Sequence, residues 1–222
     1  MNVKIEGLSE VKSYINRLKR EEIPKAFEIT INKTMGQMKT RLTEEIKSSF
    51  DRPKSWSVNT LFIDPVKASK GKYTSSLNVR RKNPQGTTAV QVLGHHISGG
   101  TRTMKGYEKW MISKGYMHNG QFIVPGPHAS IDKFGNQTRA EINKIMKALS
   151  TGDTPGGWKY FISDDGKTVF SVKGKQLKLL WFIVENVNYD KRYGFFPVGM
   201  ETAKKMMLAN AEFAVQKAIE RR

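Results

Sequence analysis

His95 and His96 are the only adjacent imidazoles, and with His118 and His128 they are all the histidines of the chain. There is no cysteine, so a metal would have to be held by these groups and by carboxylates. No H-E-x-x-H motif and no compact Asp/Glu cluster is present, and neighbouring residues of an extended segment point to opposite faces and chelate one ion poorly. Gly99-Gly100-Thr101-Arg102 offers backbone N–H groups to an anion. It lacks the Gly-Lys-Ser/Thr ending of a nucleotide-binding loop, and no G-x-S-x-G elbow occurs. A metal-dependent nuclease needs two or three acids gathered on a sheet. Asp64, Asp132, Asp164 and Asp165 are spread along the chain, and the last two suit a hairpin turn. Trp56, Trp110, Trp158 and Trp181 have the π faces that stack on bases, but most lie in apolar-periodic or β-like surroundings that read as core. The expectation is a protein with no catalytic residue, no metal and no cofactor, hence not an enzyme.

What the residues do offer is positive charge. Lys and Arg number 38 against 20 Asp and Glu, a formal charge of +18 over 222 residues. Such a chain favours nucleic acid, acidic protein surfaces or anionic lipid as partner. The cations are dispersed, which argues against a single disordered basic arm. The best candidates for contact with DNA or an acidic partner are Arg80, Arg81 and Lys82, which close an expected strand before a turn at Asn83-Pro84-Gln85-Gly86, together with Lys70, Lys72 and Arg102. The longest apolar run is Leu179 to Val184, far short of the roughly 20 residues that span a bilayer. The first residues have no apolar core of a secretory signal. A protein made in the cytoplasm, with no membrane association, is expected.

The elements that must carry these groups come from hydrophobic period and from start and stop signals. Val3 to Glu6 reads as a short strand and residues 10–20 as a helix capped by Ser9. Pro24 suits a first helical turn. Phe27, Ile31, Met35, Met38, Leu42, Ile46 and Phe50 then recur at helical spacing to give one apolar stripe, ended by Arg52-Pro53. Strands are expected at Leu61–Val66, Tyr73–Val79 and Thr88–Leu93, and a loop through His95–Arg102. A helix covers 107–113, Phe122-Ile123-Val124 is β-like, and a capping box at Thr138–Glu141 opens another helix. Asp164-Asp165-Gly166 turns a hairpin between 159–163 and 167–172, followed by a buried strand at 177–184. A last helix runs from about 197–200 to Ile219, with Met207, Ala211, Ala214 and Ala218 on one narrow face. The expected fold is α+β: a long N-terminal and a C-terminal helix packed on an antiparallel sheet. It is read as a single structural domain over 1–222, with a loop-rich docking insertion at 94–137 and an internal linker at 150–157. A stripe as long as that of 24–50 needs a partner. Phe27, Ile31, Met38, Leu42, Met207, Ala211 and Ala214 are the residues expected at a subunit interface.

Three stretches carry a resemblance. Ile31-Asn32-Lys33-Thr34 resembles the Ala/Ile-Asn-Arg/Lys-Thr signature of phage minor tail proteins, including the lambda minor tail protein Z group. Phe50-Asp51-Arg52-Pro53 with Asn59-Thr60-Leu61-Phe62-Ile63 is similar to the segment after the helix in prophage tail-associated proteins. Ser98 to Arg102, Val124-Pro125-Gly126 and Ile131 to Asn136 look like later blocks in the same order, so that the likeness covers about residues 26–150. The resemblance implies a virion structural protein of the head–tail junction, a neck or tail completion subunit, rather than an enzyme. It implies a homo-oligomeric ring, of about six or twelve copies, built through heterologous contacts. Portal, adaptor or tail proteins are the implied neighbours, and packaged DNA a non-specific one. The rival reading from charge alone is a basic DNA-binding factor of phage replication or packaging.

Overall fold

The computed structural model describes residues 8–80 and 88–220. The expected strand at 3–6, the turn at 83–86 and the cations Arg81 and Lys82 lie outside them. The chain is α+β, with two long helices and antiparallel sheets. Where the sequence reading has one domain, two compact units are found: residues 8–49, 55–80 and 193–220 form the first, and residues 50–54 and 88–192 the second.

The first unit is built on a helical hairpin. Helix α1 (Leu8–Arg17) runs through a π turn at Leu18–Glu22 into α2 (Ile23–Ser49), so the two expected helices are joined. The widening just ahead of Pro24 has a simple cause: proline has no N–H, and its ring crowds the carbonyl one turn back. Helix α7 (Phe195–Glu220) packs antiparallel along α2. Between them come the one-turn helix α3 (Ser55–Val58) and strands β1 (Leu61–Asp64) and β2 (Ser76–Val79), an antiparallel pair with Leu61 opposite Val79.

The α2–α7 seam is not the stripe that periodicity singles out. Toward the middle of α2, Leu42 and Ile46 are buried as expected, but nearer its start the buried residues are Ala26, Thr30 and Thr34, one position before Phe27, Ile31 and Met35. Small residues let the helices approach: Gly199 of α7 lies where an added Cβ would sit 3.5 Å from Met38 and 3.6 Å from Leu42. Polar groups then set the register. Buried Asn210 donates to Thr34 Oγ1 (2.9 Å) and to Gln37 Oε1 (2.7 Å). Asn32 fixes the following loop by both accepting from the Val66 N–H (2.9 Å) and donating to the Val66 carbonyl (3.1 Å). Two residues of the Ile31–Thr34 signature, Asn32 and Thr34, thus act as internal ties.

The second unit holds a four-stranded antiparallel sheet of β4 (Phe122–Pro125), β5 (Lys159–Ile162), β6 (Thr168–Lys173) and β7 (Gln176–Val184), in the order β4-β7-β6-β5. The 164–166 hairpin and the buried strand at 177–184 are where the sequence places them. Helices α5 (Gly106–Ser113) and α6 (Arg139–Thr151) contribute Met111 and Ile145 to a core shared with Ile123, Val169, Leu180, Trp181 and Ile183. The expected cap of α6 forms in half: Thr138 accepts from the Glu141 N–H, while the Glu141 carboxylate accepts from Ser130 N (2.6 Å). Residues 150–157 close α6 and make a short 3-10 turn inside this unit. Val169 faces Trp181 and Phe170 faces Leu179, so Leu180 is an extra residue on β7. Gly126 reaches into that bulge, donating to the Leu180 carbonyl (2.7 Å). A Cβ there would lie 2.3 Å from Leu179 Cδ2 and 2.8 Å from the Leu179 carbonyl oxygen, so the position demands glycine.

Two expectations for the stretch after 87 are corrected. Thr88–Leu93 is not a strand and His95–Ser98 not a loop: helix α4 (Ala89–Ser98) covers both. Thr88 accepts from Gln91 N while Gln91 accepts from Thr88 N (2.8 Å), a full capping box. Strand β3 (Gly100–Thr101) follows and pairs with β8 (Asn188–Tyr189).

Candidate assembly surface and cationic cleft

In the first unit the long helices bury one face and leave another bare. On α7, Phe196, Met200, Met207, Leu208, Val215 and Ile219 are all exposed, Leu208 to 70%. At 3.6 residues per turn they fall within an arc of about 140° and run some 35 Å along the helix. Together they present on the order of 600 Å² of apolar surface, at the upper limit of what ordinary monomers show. The N-terminal helix carries a second bare strip, Val11, Ile15, Ile23 and Phe27, with the Tyr73 ring edge-on to Phe27 at 6.2 Å.

These strips redistribute the residues expected at a subunit interface. Phe27 and Met207 are exposed and free to meet another chain; Ile31, Met38 and Ala211 are half-buried. Leu42 and Ala214 are corrected: both are buried against the paired helix of the same chain, at 1% and 0% exposure. The sequence missed Leu208, Val215, Phe196 and Met200, because α7 has apolar residues around most of its circumference and only the position of α2 tells which of them are left over.

The expected cationic contacts also divide. Lys70 and Arg80 are exposed. Lys70 stands on a turn whose ends are held by reciprocal Lys67–Lys72 backbone bonds and which is tied to α2 by the Ala68 N–H donating to Glu28 (2.9 Å). Lys72 is neutralised by Asp64 at 2.6 Å. Arg102 is the clear correction. Its guanidinium is buried in the second unit, forked onto both oxygens of Glu108 and donating to the Ile123 carbonyl (3.2 Å). Glu108, wholly buried, also accepts from Lys105 N (2.6 Å) and Ile123 N (2.8 Å). Burial alone would raise the Glu108 pKa, but the Arg102 hydrogen bonds and the two backbone N–H groups outweigh it and hold the carboxyl below its ordinary value. This pair braces the chain between β3, α5 and β4, and its guanidinium fork is spent on Glu108.

Above it lies a cleft of about 440 Å³ lined by His95, His96, Arg102, Lys105, Gln91, Asn136 and Tyr189, among others. Helix α4, in place of the expected loop, puts both imidazoles there. The Tyr189 ring stacks against His95 (6.5 Å) and meets His96 edge-on (4.8 Å), and the Phe50 ring also meets His96 edge-on (4.8 Å). His95 Nε2 accepts from Thr103 N (3.3 Å). His96 Nδ1 is buried with no partner among the described residues. Burial pushes the His96 pKa down, and Arg192 and His95 push the same way.

Three of the four acids weighed for nuclease chemistry are spent locally, and Asp164 is exposed on the β5–β6 turn. Asp64 pairs with Lys72, and Asp132 pairs with Lys54 (2.8 Å) and caps its own loop by accepting from Phe134 N and Asn136 N. Asp165 closes the β5–β6 turn through Ser163 and Lys167 N. Among the described residues no group of three or more His, Asp or Glu is placed to hold a metal, and no helix is long and apolar enough to cross a membrane. Trp181 is fully buried, Trp110 packs on the core and Trp158 lies under Lys178 (4.4 Å); Trp56 is exposed. No protein-family model, no curated protein and no solved structure matches the chain.

Proposed function

We propose that the chain is a structural subunit of a phage head–tail junction, a neck or tail completion protein that assembles with copies of itself into a ring. One observation carries the assembly: two bare apolar strips on different helices of the first unit, Phe196–Ile219 of α7 and Val11–Phe27 of the N-terminal helix. A closed ring needs unlike patches that meet head to tail, and each strip is apolar enough to repay its removal from water, at roughly 25 cal/mol per Å². The motif resemblance supplies the setting. Portal, adaptor or tail proteins would be neighbours, DNA would be met through cations such as Lys70 and Arg80, and the action is shape and electrostatics, without bond-making.

The test is native mass spectrometry of the full chain beside a Leu208→Glu/Val215→Glu variant. The expected result is a closed oligomer for the wild type and a monomer of unchanged helicity for the variant. A wild type that stays monomeric at micromolar concentration, or a chain absent from purified virions, overturns the proposal. The exposed lysine turn at 67–70 favours a second reading, a DNA-binding factor of replication or packaging. Tight, sequence-dependent gel shifts by a monomer that survive raised salt would favour it, because purely electrostatic binding is erased by salt.

A further inference from the structure

We propose that the cleft between α4 and the 102–106 segment of the second unit binds a phosphate group. The inference does not depend on the ring reading. No carboxylate lines the cleft: its basic side chains are His95, His96, Arg102 and Lys105, with Gln91, Asn136 and Tyr189 around them. The nearest carboxylate, Glu108, has both oxygens occupied by Arg102 and by the Lys105 and Ile123 N–H groups. The Lys105 ammonium makes no ion pair among the described residues. Burial and the field of Arg102 lower its pKa, and the weaker pull of Glu108 opposes them without restoring it.

The arrangement is a set of donors without an acceptor. His95 Nε2 accepts from Thr103 N, which leaves its proton on Nδ1. His96 Nδ1 is buried and has no partner among the described residues, and becomes a donor once protonated. The titratable groups that face His96 are His95 on its own helix and Arg192 after β8, and neither is an acid. A carboxylate ligand is best held by a planar arginine fork, and the fork of Arg102 is already spent on Glu108. Several separate donor groups around one space suit a tetrahedral, multiply charged oxyanion instead. Binding it would draw a proton onto His96, because a negative charge beside an imidazole favours its charged form.

The phosphate could be free or part of a nucleic-acid backbone, and isothermal titration calorimetry of the full chain separates the two. The probes are inorganic phosphate and a short DNA duplex, each measured near pH 6.5, the ordinary imidazole pKa, in two buffers of different ionisation enthalpy. Saturable binding with net proton uptake is expected. Lys105→Met, which keeps the backbone bond to Glu108, should weaken it about tenfold, equivalent to 1.4 kcal/mol. His96→Gln should remove the proton uptake. Saturation by inorganic phosphate assigns a free-anion site, and saturation by the duplex alone assigns a backbone phosphate. No saturable binding of either probe, or binding unchanged in both variants, overturns the inference.

Discussion

Replacing Glu108 with Gln should cost the second unit about 3–5 kcal/mol, the range for removing one partner of a buried ion pair. The structure says why the figure belongs at that level. Glu108 is fully buried and accepts four hydrogen bonds, two from Arg102 and one each from Lys105 N and Ile123 N. A Gln side chain has one carbonyl oxygen, so its amide must face at least one of these donors. Arg102, itself buried, is left charged beside Lys105 with nothing negative in contact. A domain of this size is stable by only about 5–15 kcal/mol, and each kcal/mol moves the midpoint by several degrees. Circular dichroism melts should therefore show a drop of about 10–20 °C, and hydrogen exchange should place the loss at the Ile123 and α5 amides. Arg102→Met/Glu108→Leu should recover much of it, because no charge is then stranded. A single variant within about 1 kcal/mol of the wild type, or a double variant worse than the single one, would show that no buried charge is stranded there. The pH dependence has a fixed sign. Glu108 has a lowered pKa in the fold, so its contribution is complete above the ordinary value of about 4.3 and is lost as pH falls through the folded one.

Other outcomes can be checked the same way. Gly126→Ala drives a methyl group into the Leu179 carbonyl and should cost about 1–3 kcal/mol in urea denaturation, as overpacking does. Asn210→Ala strands Gln37 Oε1 and Thr34 between the long helices and should cost a similar 1–3 kcal/mol, seen as faster exchange along α2 and α7 while β6 and β7 stay protected. The pKa of His96 is lowered by its burial and by Arg192 and His95, so the unfolded chain takes up a proton first as pH falls. Stability of the second unit should begin to drop below about pH 6.5; a flat melting temperature from pH 7.5 to 5.5 in wild type, matched by His96→Gln, would contradict this.

Local chemistry was legible in the sequence by itself. The Asp164-Asp165-Gly166 hairpin, the 177–184 strand, α5, α6 and the two long helices are specified by turn residues, caps and period, interactions that reach only a few positions along the chain. The capping box that opens α4 was equally present at Thr88 and Gln91, but the short, mostly apolar Ala89-Val90-Gln91-Val92-Leu93 also fits a strand, and so short an apolar run does not separate the two. Which face of each element is used depends instead on contacts between distant segments. Apolar residues lie around much of α2 and α7, so the seam through Ala26, Thr30, Thr34 and Asn210 exists only because the two helices meet there, and the residues left bare follow from that choice. Arg102 reads as a surface cation until the fold brings Glu108 and the Ile123 carbonyl to its guanidinium. Charge and hydropathy belong to single residues, whereas burial and pairing belong to the contacts between distant segments, and no count along the chain contains them.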